Sequence, residues 1–266
     1  MITSDRDLLR LLPGVLRARD FHLYLEGGKR LCDLWLQGGR AVLGHKPPRV
    51  LGELKNAAER GLFCSFPHPL ERRFCKALSL FFPDRAFRLY ENQGSLLRAL
   101  EQAGFPTPGP IPDPAFPRDK APGGETISLW RPFLEAPAFP ILVPVLPWPQ
   151  GPAVLALDRS LDASFPPGEL IPPILLAPAA RALHNLASAL KDDPRRGSFK
   201  ALGELGAWQR RGIYLTGGAE GEPYDALFQR FLEGGFLIPP SPTEPLILPG
   251  SMSPGEASKL AELLRS

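Results

Sequence analysis

The chain has 266 residues, enough to bury one large core or two of moderate size. Its apolar fraction of 44% and charged fraction of 22% exclude a largely disordered chain. Its net charge of +3, spread over 31 basic and 28 acidic residues without a long basic run, argues against a nucleic-acid partner.

The opening MITSDRDLLRLLPGVLRARD contains acidic residues and no uninterrupted apolar run, so it does not read as a secretory signal. Ser4 and Asp7 have capping-box form ahead of Leu8, Leu9, Leu11 and Leu12, which predicts a short helix disturbed at Pro13. A hairpin follows, with Leu23 and Leu25 alternating on the way out, Gly27-Gly28 at the turn, and Leu34 and Leu36 on the return. Helical spacing then links Val50, Leu51, Leu54 and Ala58, and next Leu70, Phe74, Ala77, Leu78 and Phe81. Phe87 to Tyr90 reads as a strand, Asn92-Gln93-Gly94 as a turn, and Ser95 onward as a helix through Leu97 and Leu100.

Residues 105–124 are dense in Pro, Gly and Asp and read as an extended linker. The chain holds 33 prolines, against a usual frequency of roughly 5%, which predicts short elements and many turns throughout. TISLWRPFL, FPILVPVLP and PAVLALD are strand candidates whose apolar runs suit burial on both faces. Prolines 140, 144, 147, 149 and 152 break that region too often for it to span a membrane. A helix is expected from Pro172 to Leu190, then RGIYL as a strand, a helix from Tyr224 to Leu232, short strands FLI and LIL, and a last helix after Ser253. Ser253 and Glu256 form a capping box with Pro254 at the first helical position.

Two separated stretches resemble class III pyridoxal-phosphate (PLP) aminotransferases. In EGGKRLCDLWLQGGRAVLGHKPPRV the matching residues are Asp33, Gly44, His45 and Pro48, with Gly38 or Gly39 between them. In YDALFQRFLEGGFLIPPSPTEP they are Tyr224, Phe228, Gly235, Pro240, Ser241 and Glu244, a pattern most similar to the glutamate-1-semialdehyde aminomutase branch. The resemblance implies an α/β, PLP-transferase-like fold: a reduced large domain with a few-stranded sheet, and an α+β small domain built from both chain ends. The implied bounds are residues 1–65 and 196–266 for the small domain and 66–195 for the large one. It also implies a homodimer, as in the family.

The same resemblance places Gly94 and Ser95 at the family's phosphate-binding turn, where free backbone N–H groups and a helix dipole favour an anion. A small anionic ligand is the expected occupant. Asp158, at the end of PAVLALD, is the candidate for the carboxylate that the family sets against the pyridine nitrogen. The Schiff-base lysine is missing from this picture. Of Lys29, Lys46, Lys55, Lys76, Lys120, Lys191, Lys200 and Lys259, none stands at a strand end beside a glycine-rich turn. The catalytic residues therefore stay unassigned, and no cofactor is expected unless Lys120 or Lys191 has taken over that role.

His22, His45, His68 and His184 lack metal-ligand spacing, and no G-x-S-x-G occurs. Trp130 and Trp148 read as packing residues, and Glu204 and Glu220 as charges near turns. Cys32, Cys64 and Cys75 are odd in number without CxxC spacing, as expected of thiols in a reducing cytoplasm. Three readings remain: a degenerate aminotransferase fold acting as a dimeric binding or assembly protein, a working PLP enzyme with a relocated lysine, and a regulatory subunit of a full-length relative.

Overall fold

A computed structural model describes residues 5–117, 126–191, 205–218 and 221–265. The expectations that fall on Ser4, Lys120, Lys200, Glu204 and Glu220 lie outside the described residues. In chain order the elements begin with α1 (Asp5–Leu9), β1 (Val15–Arg19), β2 (His22–Leu25), β3 (Arg30–Asp33), α2 (Val50–Glu59), α3 (Pro69–Leu78), β4 (Arg85–Tyr90) and α4 (Gln93–Gln102). Next come β5 (Ile127–Trp130), β6 (Ile141–Pro144), β7 (Ala153–Asp158) and α5 (Pro173–Lys191). The last are β8 (Gln209–Arg211), β9 (Tyr214–Thr216), α6 (Tyr224–Glu233), β10 (Phe236–Leu237), β11 (Leu246–Ile247) and α7 (Pro254–Arg265). The chain divides into two units, one of residues 1–46 with 192–266 and one of residues 47–191.

The first unit is α+β. Its four-stranded sheet runs β1-β2-β3-β10, and a smaller sheet runs β11-β9-β8. The two chain ends meet where β10 pairs parallel with β3, Phe236 opposite Cys32 and Leu237 opposite Asp33. The hairpin expected around Gly27-Gly28 forms, but its return strand stops at Asp33 and does not reach Leu36. There the Asp33 carboxylate accepts from the amides of Trp35 and Leu36, both at 2.9 Å, and turns the chain into a 3₁₀ segment. Strand β1 was not expected from the sequence; it is an edge strand with mostly exposed side chains, so it lacks a buried alternation. RGIYL is not one strand. Gly212, with φ +60°, turns it into the β8–β9 hairpin. The capping box forms as read, Ser253 N and Oγ donating to Glu256 Oε2 at 2.9 and 2.8 Å.

The second unit is a layered α/β body. Its sheet runs β4-β7-β6-β5, with β7 antiparallel to both neighbours and β5 parallel to β6. On one face Leu89 and Val154 pack against Phe74 and Leu78 of α3 and Leu176, Ala180 and Leu183 of α5. On the other, Tyr90, Ile127, Ile141, Leu155 and Leu157 pack against Leu96, Ala99 and Leu100 of α4. Fully burying a side chain such as Phe74 stabilises by about 1.5–3 kcal/mol. Helix α4 begins at Gln93 and not at Ser95, because Asn92 caps it by accepting from Ser95 N at 3.0 Å. The described part of the Pro-rich stretch has no regular structure yet is pinned to β5. Leu129 N donates to Pro112 O at 2.8 Å, and the Arg131 guanidinium grips Asp113 at 2.6 and 2.5 Å. No described helix is long and apolar enough to cross a membrane.

Candidate functional site

The sequence-matched residues of the first unit converge. Asp33, 1% exposed at the end of β3, accepts on Oδ2 from the His45 ring at 2.9 Å while Oδ1 caps the next turn. Gly44 has φ +87°, and a Cβ there would stand 2.9 Å from Asp20 O, the same carbonyl that accepts from His45 N at 2.7 Å. Glu244 takes the Trp35 indole N–H at 2.7 Å and lies 3.0 Å from where a Cβ on Gly38 would sit. Burial pushes the Arg40 guanidinium down from its ordinary pKa, and nearby Glu244 opposes that shift.

Tyr224, opening α6, donates its hydroxyl to Pro239 O at 2.8 Å; Pro240 and Ser241 are buried, and Ser241 Oγ meets Thr243 Oγ1 at 2.9 Å. Phe228 is fully buried, and Gly235, at φ +91°, offers its carbonyl to Cys32 N at 2.9 Å. These residues hold turns and seams between the two chain ends. Pro48 belongs to the second unit, where its carbonyl accepts from Asn185 at 2.8 Å.

In the second unit, β4, β5 and β6 run in one direction, so their carboxyl ends lie along one edge of the sheet. Ligands of open α/β sheets bind outside that edge. It carries Tyr90 at the end of β4 and Glu91 after it, Arg131 after β5 and Val145 to Gly151 after β6. Gly94 and Ser95 are there. Asp158 is not: it is the last residue of the antiparallel β7, paired with Arg85 at the start of β4, whereas Tyr90 pairs with Ala153. Five residues of strand put those two ends about 17 Å apart. Asp158 instead meets Arg85 at 3.3 Å. The structure does not bring Asp158 and Gly94-Ser95 into one cradle.

Three amides around the turn are partnered within the chain. Glu91 N donates to the Glu169 carboxylate at 2.8 Å, Ser95 N to Asn92 Oδ1, and Leu96 N to Asn92 O at 3.2 Å. Arg98 donates to Ser95 Oγ at 2.9 Å. The Arg98 guanidinium also stands 3.6 Å from where a Cβ on Gly94 would sit. All six lysines among the described residues, 29, 46, 55, 76, 191 and 259, are exposed, and none is on the carboxyl edge. No group of three potential metal ligands occurs among the described residues.

The Asp113–Arg131 grip and the Glu169 cap were not visible in sequence. Their partners are 18 and 78 residues apart and belong to irregular segments whose path only the fold defines.

No protein-family model matches the chain. An uncharacterized protein of Treponema pallidum is 26% identical over 303 aligned positions, spanning 94% of this chain and 93% of that one. Glutamate-1-semialdehyde 2,1-aminomutase of Thermus thermophilus is 29% identical over 83 residues, which is 31% of this chain and 20% of the enzyme. Among solved structures, ornithine aminotransferase from Plasmodium yoelii superposes with a TM-score of 0.67 at 11% identity, covering 99% of this chain and 98% of that one. The mixed α/β second unit, the α+β unit made of both chain ends and these likenesses together give the chain the fold of the class III PLP aminotransferases.

Proposed function

We propose that this aminotransferase-fold protein does not hold PLP as a Schiff base and acts as a homodimeric binding or assembly protein. The observation that carries the reading is the carboxyl edge of the sheet in the second unit. The edge is lined by Tyr90, Glu91 and Arg131 and by a Pro-rich loop, with no lysine among its described residues. Asp158, the residue expected to face a pyridine nitrogen, is at the far end of the strand pair from the Gly94 turn. The described residues thus do not fit the cofactor that the fold implies.

Assembly is supported by apolar surface on the segment after α2. Phe63 and Phe66 are 57% and 58% exposed, and Leu51 of α2 is also open. Such residues in a folded chain mark an interaction face, for which a second copy is the occupant that the fold implies.

The test is chemical. Purified protein mixed with PLP and reduced with borohydride is expected to carry no lysine adduct by mass spectrometry. An adduct on one defined lysine, Lys120 and Lys191 being the positions to inspect first, would overturn the reading and make the protein a PLP enzyme. Sedimentation of the full chain is expected to give a dimer, and a Phe63→Ser/Phe66→Ser variant a monomer.

A further inference from the structure

The second unit carries a charged cleft on its helical layer that the reading above does not use. Between helices α2, α3 and α5 an open cleft of about 70 Å³ is lined by Glu53, Asn56, Arg60, Leu62, Leu70 and Arg73, together with Ala57 and Ala177. One water needs roughly 10–15 Å³ of such space, so the cleft admits a group the size of a phosphate.

Its charges do not balance. Glu53 is the one carboxylate on its wall, and two guanidiniums share it, Arg73 at 3.7 Å and Arg181 at 3.5 Å. Arg60 adds a third cation with no carboxylate partner among the described residues. Arg181 Nε is buried without a hydrogen-bond partner. The positive field is felt next door, where burial first and then Arg181 and Arg73 hold His184 below its ordinary pKa. The lining sets two guanidiniums against one carboxylate, which Arg181 also draws on from beside the cleft, and a phosphoryl oxyanion neutralises that excess, planar guanidinium forks suiting its oxygens. Leu62, Leu70 and the two alanines provide an apolar wall for a carbon stem.

We propose that the α2–α3–α5 cleft binds the phosphoryl group of a small phosphorylated metabolite, with Arg60 and Arg73 as its ligands and Glu53 holding Arg73 and Arg181 in place. This site is independent of whether the protein binds PLP at the sheet edge.

The experiment is calorimetric titration of the full chain with inorganic phosphate at low ionic strength, repeated with succinate. Binding of phosphate is expected, with affinity falling about tenfold or more for each guanidinium removed in Arg60→Gln and Arg73→Gln. Both side chains are exposed, so the variants should keep the wild-type circular dichroism and melting curve. Lys55→Gln, an exposed lysine of α2 outside the cleft, should bind phosphate as the wild type does. The proposal is overturned by absence of phosphate binding, by unchanged affinity in the arginine variants, by an equal loss in Lys55→Gln, or by binding of succinate without phosphate.

Discussion

Removing the Arg131 side chain should destabilise the second unit far more than an ordinary surface change. Arg131 is 4% exposed and meets Asp113 through two contacts of 2.6 and 2.5 Å, and Asp113 also accepts from Ala115 N at 2.9 Å. Arg131→Ala leaves the Asp113 carboxylate in a poorly hydrated place without its counter-charge. Breaking one partner of such a pair costs about 3–5 kcal/mol, whereas replacing both by apolar groups of similar volume is often neutral. At roughly 2–4 °C per kcal/mol for a domain of this size, the single variant should melt about 6–20 °C lower. The assay is calorimetry of wild type, Arg131→Ala and the double variant Arg131→Met/Asp113→Leu. The double variant should recover most of the loss. A single variant within about 1 kcal/mol of wild type, or a double variant no better than the single, would refute the view that desolvated charge holds the Pro-rich segment on β5.

Acid should weaken the first unit through Glu256. Burial raises its carboxyl, but the backbone and hydroxyl donors of Ser253 and the His22 ring outweigh that and bring it from an ordinary 4.5 to about 2. A carboxyl depressed by folding stabilises above its unfolded pKa and loses that contribution as the pH falls from 4.5 towards 2, so Glu256→Gln should flatten the pH dependence of urea midpoints across that window. Gly44→Ala should cost roughly 2–3 kcal/mol in chemical denaturation, combining a left-handed backbone with a clash against Asp20 O. A thiol reagent should modify Cys64 quickly, since it is exposed. Cys32 is buried with its thiol pushed up and should react only on unfolding, and half-buried Cys75, pushed by burial to about 11, should react more slowly than Cys64.

What the sequence disclosed follows the range of the interaction concerned. Ser253 and Glu256 are three residues apart, and their reciprocal bonds form as written. That His22 and Arg30 also meet the Glu256 carboxylate, at 2.9 and 2.8 Å, depends on bringing both chain ends together and left no trace in spacing. The motif residues Asp33, His45 and Glu244 were legible as a pattern, while their work as turn caps and seams between the chain ends was not. Gly212 carried a readable hairpin signal that the apolar run RGIYL masked. For Asp158 the strand end was right, but the direction of β7, which decides which edge that end belongs to, is set by tertiary pairing. Arg60 just past α2, Arg73 of α3 and Arg181 of α5 share nothing in sequence that marks them as neighbours.

The parallel seam between β3 and β10 has a bearing on how the protein is made. Residue 33 waits on the ribosome until residue 237, about 200 positions later, has been synthesised. Residues 47–191 are contiguous and can mature during translation, whereas the sheet containing β1, β2 and β3 stays open along β3 until the last quarter of the chain emerges. An exposed strand edge of that kind invites pairing with other chains, so raising the expression temperature should move this protein from the supernatant to the pellet of a cell lysate.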